Sequence, residues 1–194
     1  MGNLPDFVFE YLITKNYIGK TKTLIIGENY PGKNYEKSYF YRSLPGCSSF
    51  PIGGNTPSFF TQLCDQLLIP KLDYNEQKLS ELERLIKFLE HGFLLIDAQK
   101  NLHPPIKPAK ISSKEIDNLM TFILIINPKN ILFLTENNQN IINHLSNHHL
   151  YHKIKERIIY NFLKKRQWFS FPSAPANPNH FKTEIETVRK YYFL

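Results

Sequence analysis

The stretch that most constrains the fold is the decapeptide at positions 23–32, Thr-Leu-Ile-Ile-Gly-Glu-Asn-Tyr-Pro-Gly. Four residues of strand-forming character run into Gly27 and a polar turn, a pattern typical of a buried strand that ends in a loop. Open α/β sheets bind their ligands just outside the carboxyl ends of such strands. The stretch therefore predicts either a ligand-binding edge or a plain structural turn.

Further apolar runs of this kind are separated by segments with helical spacing. The predicted strands cover residues 22–27, 92–98, 130–135 and 167–171, and the predicted helices cover 7–17, a segment from 56 onward, 75–91, 112–126, 137–146, 151–164 and 180–192. Alternation of strands and helices indicates parallel strands joined by right-handed crossovers. The predicted fold is α/β, a three-layer α/β/α arrangement around a short four-stranded parallel sheet, in a single domain that covers residues 1–194.

The composition narrows the class of protein. Hydrophobic residues make up 42% of the chain, with 15 Phe and 11 Tyr, which suffices for a sizeable core. No apolar run reaches the roughly 18 residues that span a bilayer, and the first residues do not form a secretory signal, so we expect a cytoplasmic protein with no membrane partner. Cys47 and Cys64 are too few for a four-thiolate cluster and are interpreted as ordinary thiols. The net charge of +7 permits a polyanionic partner.

A long segment at about 28–57 is rich in Gly, Pro, Asn and Ser. Loops of this length inside a compact domain are usually functional. Aromatic and basic side chains alternate within it, which suits nucleic acid or another planar ligand. The alternative is a loop that packs its aromatic side chains onto the domain.

Three histidines, His144, His148 and His152, recur at intervals of four. On one continuous helix they would line one side and could bind a metal ion. No carboxylate pattern accompanies them, and the sequence predicts a helix break at about 146–150. We therefore interpret them as surface imidazoles and expect neither a metal nor another cofactor.

Five short motifs follow one another along the chain. They are the segments 27–32 (GENYPG), 54–60 (GNTPSFF), 94–98 (LLIDA), 132–134 (LFL) and 171–175 (FPSAP). Together they resemble the uracil-DNA glycosylase superfamily, particularly its mismatch-specific and related branches. The resemblance covers about residues 22–192 and implies a monomeric base-excision repair enzyme that flips a damaged or deaminated base out of DNA and hydrolyses its N-glycosidic bond.

The resemblance implies a water-activating residue after the first strand. Alignment from Gly27 places Asn29 there, whereas alignment from the Pro-Gly pair places Tyr30 there, because this chain has one inserted residue. We favour Asn29 and place Tyr30 beside the base. Glu28 is a second catalytic candidate, since a buried carboxyl group with a raised pKa can act as a base.

The resemblance also implies base-contacting residues, and two of them depart from the family pattern. Asp97 stands where the family has a base-reading Asn, and Phe171 stands where it has a His. An ionised carboxylate only accepts hydrogen bonds, so it would suit a base that presents two donors. Phe40 or Tyr41 is the predicted stacking platform, and backbone N–H groups of residues 173–177 would stabilise the departing base.

The predicted DNA contacts come from the loops and helix starts at the proposed ligand edge. They are Lys33, Arg42, Ser173, Pro175, Asn177 and Phe181. The lysine and the arginine would bind phosphates, and Asn177 or Phe181 would fill the space that the flipped base leaves.

Two other functions fit the sequence. The first is a non-catalytic member of the same fold that binds nucleic acid or a protein, because Asp97 and Phe171 depart from the family motifs. The second is an unrelated α/β enzyme acting on a small nucleotide, with the glycine-rich turn at 27–32 as its anion loop. The turn lacks the Lys-Ser/Thr pair of a nucleoside-triphosphate loop.

Overall fold

A computed structural model describes residues 6–29, 40–41, 43–45, 58–67, 81–99, 112–170 and 178–192. Three strands form a parallel sheet in the order β2-β1-β3, with β1 at Thr23–Asn29, β2 at Phe93–Gln99 and β3 at Asn130–Phe133. Thr23 pairs with Phe93 on one side and with Asn130 on the other. The predicted α/β class with parallel strands is confirmed.

Six α-helices accompany these strands within the described ranges. They are α1 (Asp6–Thr14), α2 (Ser58–Gln66), α3 (Glu81–Glu90), α4 (Ser113–Ile126), α5 (Asn138–Ser146) and α6 (Pro178–Tyr192). Helix α4 has a complete capping box, in which the Ser112 hydroxyl accepts from the Glu115 backbone N–H and the Glu115 carboxylate accepts from the Ser112 N–H. It ends at Asn127, which adopts the left-handed conformation that closes helices.

The helix predicted at 151–164 is wrong. Two short 3₁₀ turns, Tyr151–Lys153 and Lys155–Arg157, occupy its first half. The chain then runs beside β3, where the Ile159 N–H donates to the Ile131 carbonyl at 2.9 Å. Pairing of this β-branched stretch with the edge of the sheet outweighs its helical spacing, because Ile159 is completely buried there.

The predicted fourth strand is reduced to isolated contacts in the described part of the chain. The Phe169 N–H donates to the Phe133 carbonyl at 2.9 Å, and the Phe169 carbonyl accepts from the Thr135 N–H at 2.8 Å. The N–H groups of Ile159 and Phe169 thus donate to carbonyls that are only two residues apart, those of Ile131 and Phe133. Ile159 and Phe169 themselves are ten positions apart in sequence. Residues 161–166 leave the edge between these contacts, and we call them the edge excursion. The described sheet therefore has three strands and not four.

The hydrophobic core extends along the sheet and its helices. All four residues of β3 are buried, as are Leu24, Ile25 and Ile26 in β1. The Cys64 thiol is also buried and free, and burial raises its pKa, as expected of an ordinary structural thiol. No helix in the described part of the chain is both long and apolar enough to cross a membrane.

Candidate functional site

The carboxyl ends of the three parallel strands lie at one edge of the sheet. Gly27 of β1 pairs with Asp97 of β2, and Asn29 pairs with Gln99. On the other side, Ile26 pairs with Phe133, the last residue of β3. The tips of the strands that carry the predicted motifs at 27–32 and 94–98 are therefore neighbours. Ser170 lies at the same edge, because Phe169 before it pairs with Leu134, the residue directly after β3.

Asp97 lies over the backbone of Gly27. A Cβ atom at Gly27 would lie 2.8 Å from Oδ1 of Asp97, so only glycine lets the carboxyl group approach this closely. Asp97 is partly buried, and desolvation raises its pKa from 3.8 to about 7. A carboxyl group that titrates near neutral pH at the ligand edge of an α/β sheet is a candidate for hydrogen bonding to substrate or for proton transfer.

Two residues at this edge were missed by the sequence analysis, namely Thr135 and Asn138. Asn138 is fully buried at the start of α5, and its Nδ2 donates to the backbone carbonyls of Ile26, at 3.0 Å, and Leu134. Its Oδ1 and the Thr135 Oγ1 are buried and have no hydrogen-bond partner in the described ranges. Unsatisfied buried polar atoms are uncommon and concentrate where a ligand or water binds.

Thr135 also has a strained backbone. Its φ angle is 73°, in the left-handed region that β-branched residues rarely adopt. Such strain concentrates at functional sites. The sequence signal for this position was a polar residue directly after an apolar strand, the same signal that pointed to Asp97.

A third feature of the edge is the buried carboxylate of Glu184 on α6. It accepts hydrogen bonds from the Ser170 N–H at 2.7 Å, the Ser170 hydroxyl at 2.8 Å and the Arg166 guanidinium at 3.1 Å. Arg166 in turn stacks on Trp168, 3.2 Å from the ring centroid. Ser170 is the residue before Phe171, so Glu184 fixes the point from which the last predicted motif begins.

Desolvation of the guanidinium lowers the pKa of Arg166, and the charge of Glu184 opposes this effect. Arginine stays charged under all ordinary conditions, so Arg166 and Glu184 form an ion pair in which the carboxylate is fully buried and the guanidinium is partly exposed. This pair was not predicted, because a helix over 151–164 gives no reason to place Arg166 beside α6.

The predicted stacking platform lies in the core. The Phe40 ring packs edge-on against Tyr41 and Phe88, with centroids 5.0 Å apart in each case. The Tyr41 hydroxyl donates to the Leu95 carbonyl at 2.7 Å and accepts from the Leu95 N–H at 3.0 Å. These backbone groups face outward from β2, the outer strand, so Tyr41 caps the sheet edge. Both rings are almost fully buried, a position that does not fit a platform open to a base.

Phe181 is also fully buried, in α6. A side chain in this position packs the core and does not fit the predicted insertion into DNA. The backbones of Glu28 and Asn29 form the end of β1, and their side chains lie outside the described residues. The remaining predicted contacts also lie outside the described residues: Tyr30, Lys33, Arg42, Phe171, Ser173, Pro175 and Asn177.

The three histidines do not share one helix. Helix α5 ends at Ser146, so His148 lies beyond it, where its Nε2 is 3.2 Å from Oδ1 of Asp117. His152 lies in a 3₁₀ turn and its Nδ1 is 3.0 Å from the His149 carbonyl. In the ranges that the structure describes, no three His, Cys, Asp or Glu side chains come close enough to hold a metal ion.

Comparisons with known proteins identify no family for the chain: no family model, no curated protein and no solved structure matches it. The function is therefore inferred from the motifs and from the residues at the carboxyl edge of the sheet. Among the residues at this edge, Asp97 and Gly27 bear most directly on the function.

Proposed function

We propose that the protein is a DNA glycosylase-like enzyme that flips a damaged or deaminated base out of DNA and hydrolyses its N-glycosidic bond. The observation that carries this proposal is the pairing of Gly27 with Asp97 at the carboxyl edge. These two residues belong to the motifs that resemble the water-activating and base-reading motifs of the uracil-DNA glycosylase superfamily. Their proximity is what a pocket for a flipped base requires.

The raised pKa of Asp97 answers the objection that a carboxylate cannot read uracil. Below a pH of about 7 the carboxyl group is neutral and has one O–H donor and one acceptor. A neutral carboxyl can thus accept from the N3–H of uracil and donate to O4, as the carboxamide of Asn does. Above that pH the ionised group offers acceptors alone, and a base that presents two donors becomes the better ligand.

Hydrolysis also requires a positioned water and donors to the departing base. Asn29 or Glu28, at the end of β1, is the proposed water-binding residue. Backbone N–H groups of residues 173–177 are the proposed donors, and Glu184 supports them by fixing Ser170 just upstream. The proposal includes a monomeric three-layer domain that uses no cofactor, in which Ile159 and Phe169 occupy the place of a fourth strand.

The test is release of free base from duplex oligonucleotides that carry uracil, hypoxanthine, xanthine or mismatches. We expect release of at least one base by the wild-type protein and its loss in Asp97→Ala and Asn29→Ala. The matched control is Asp6→Asn, an exposed carboxyl on α1, which should retain full activity. No release from any substrate, or equal release by Asp97→Ala, would refute the proposal.

The burial of Phe40 and Tyr41 favours a second candidate function. Without an open stacking platform, the chain would bind nucleic acid through the same edge and would not cleave it. This candidate predicts DNA binding whose affinity falls steeply with salt, in the absence of base release from any oligonucleotide.

A further inference from the structure

The edge excursion exposes large apolar side chains. Phe162 is 55% exposed, Leu163 47% and the adjoining Tyr160 37%, and Tyr191 near the end of α6 is 64% exposed. The rings of Tyr160 and Phe162 meet edge-to-face at 5.5 Å, and Phe162 and Tyr191 line the same cleft. We call these four residues the aromatic patch. Contiguous exposed apolar side chains of this kind mark interaction surfaces.

The turn that presents the patch is held rigidly. The Asn161 N–H donates to the Arg166 carbonyl at 2.8 Å, and the Asn161 side chain accepts from the Lys164 N–H at 3.1 Å and donates to the Trp168 carbonyl at 3.2 Å. Arg166 is tied to Glu184 on α6. The conformation of the turn is therefore fixed before any partner arrives, which lowers the entropic cost of binding.

A cleft of about 320 Å³ lies beside this turn, lined by Phe162, Thr187, Tyr191 and Tyr192. Its volume is at the lower end of the range for ligand sites and suits a large apolar side chain of a partner. Aromatic residues are enriched at the centres of protein interfaces, where such anchors bind.

Three lysines adjoin the patch. Lys164 and Lys165 belong to the same turn and are exposed, and Nζ of Lys190 lies 4.8 Å from the centroid of the Tyr191 ring. The whole chain carries a net charge of +7. Two copies of such a surface would repel each other, whereas an acidic partner would be attracted.

The patch lies at the opposite end of the sheet from Asp97. The Tyr192 carbonyl accepts from the side chain of Asn130, the first residue of β3, so α6 ends beside the amino edge of the sheet. Asp97 is at the carboxyl edge. Asp97 and the aromatic patch therefore lie at different edges of the sheet.

We propose that the aromatic patch docks an acidic peptide segment of a partner protein, with a large apolar side chain of that segment in the cleft beside Phe162. This role is separate from the proposed glycosylase function and does not depend on it. The apolar side chain of the partner would fill the cleft, and its acidic side chains would pair with the three lysines. The hydrogen-bonded turn holds Phe162 and Leu163 at the surface for this contact.

The test is the binding of a fluorescently labelled synthetic peptide in which Leu and Phe are interspersed with Glu, measured by anisotropy. Trp168 provides a second readout, because it is the only tryptophan of the chain and lies under the turn. We expect the double variant Phe162→Ser and Leu163→Ser to weaken binding about tenfold or more. Lys164→Glu with Lys165→Glu should also weaken it and reduce its dependence on salt.

The matched control is the double variant Ile13→Ser and Ile125→Ser, because these side chains are 53% and 50% exposed outside the patch. It should leave affinity for the peptide within a factor of about two. Failure of the wild-type protein to bind the peptide, or equal binding by the patch variant, would overturn the proposal. So would self-association, binding of single-stranded DNA or binding of anionic vesicles that is lost in the patch variant, since each would assign the patch to another occupant.

Discussion

The two ends of the sheet have opposite characters. At the carboxyl edge, polar groups are withdrawn from solvent: Asp97 lies partly buried over Gly27, and Asn138 and Thr135 each have a buried oxygen without a partner in the described ranges. At the amino edge, apolar groups are exposed, with Phe162 and Tyr191 at the surface. Buried polar groups with a perturbed pKa are suited to chemistry, and exposed aromatic groups are suited to docking. In this small domain, the proposed reaction site and the proposed partner site therefore lie at opposite edges of one sheet.

The largest expected effect comes from the ion pair that links the two ends. Glu184→Ala leaves the Arg166 guanidinium without its buried partner and should lower the free energy of unfolding by about 3–5 kcal/mol. Denaturant unfolding measures this effect. Glu156→Ala, which removes an exposed carboxylate near Lys155, should change stability by less than about 1 kcal/mol. Equal losses in both variants would show that Glu184 is not a buried anchor.

The second prediction concerns how the Asp97 carboxyl group makes the stability of the fold depend on pH. Because burial raises the folded-state pKa to about 7, its stabilising neutral form is fully present at a pH below 3.8, and stability is lost as pH rises towards 7. Above pH 7 the cost approaches about 4 kcal/mol as an upper limit. Asp97→Asn should therefore stabilise the fold at pH 8 and have a much smaller effect near pH 4. Denaturant titrations at the two pH values measure this, and a pH-independent effect would contradict the shift.

The third effect concerns the outer edge of β2. Tyr41→Phe removes the hydroxyl that bonds both backbone groups of Leu95 and should cost about 1–3 kcal/mol. The exposed Tyr160 at the other end offers the matched control, because Tyr160→Phe should be nearly neutral. Thermal unfolding of the two variants compares them directly, and a neutral Tyr41→Phe would show that the edge needs no cap.

The smallest effect compares strained backbone at the two ends. Thr135 and Lys165 both have positive φ angles, 73° and 54°, but Thr135 is β-branched. Thr135→Gly should stabilise the fold by about 1 kcal/mol, and Lys165→Gly by less. If the strain serves function, Thr135→Gly should also reduce base release. A destabilised Thr135→Gly variant would show instead that the Thr135 hydroxyl has a partner that outweighs the strain.

Features set by local sequence could be predicted. The apolar runs at β1, β2 and β3 predicted the parallel strands, and the serines at 112 and 113 predicted the start of α4. A polar residue at each strand end placed Asp97 at the ligand edge. These predictions depend on residues that are close in sequence, which is why they could be made without knowledge of the fold.

Features set by distant contacts could not be predicted. Helical spacing favoured a helix over 151–164, but pairing of Ile159 with β3 decides its conformation. Tyr41 was predicted to face a base because nothing near it in sequence indicates the Leu95 backbone, 54 positions away. The Glu184 carboxylate, which holds Ser170, joins residues 14 positions apart across two elements. Burial of aromatic side chains and pairing of charges depend on the complete fold.

The most direct test of the central claim is the pH dependence of uracil release by the wild-type protein and by Asp97→Asn. A neutral carboxyl at Asp97 predicts wild-type release that falls as pH rises through about 7, and release by Asp97→Asn that persists at pH 8, because a carboxamide keeps its donor. Wild-type release that rises through this range, or an Asp97→Asn variant that is inactive at every pH, would contradict the account.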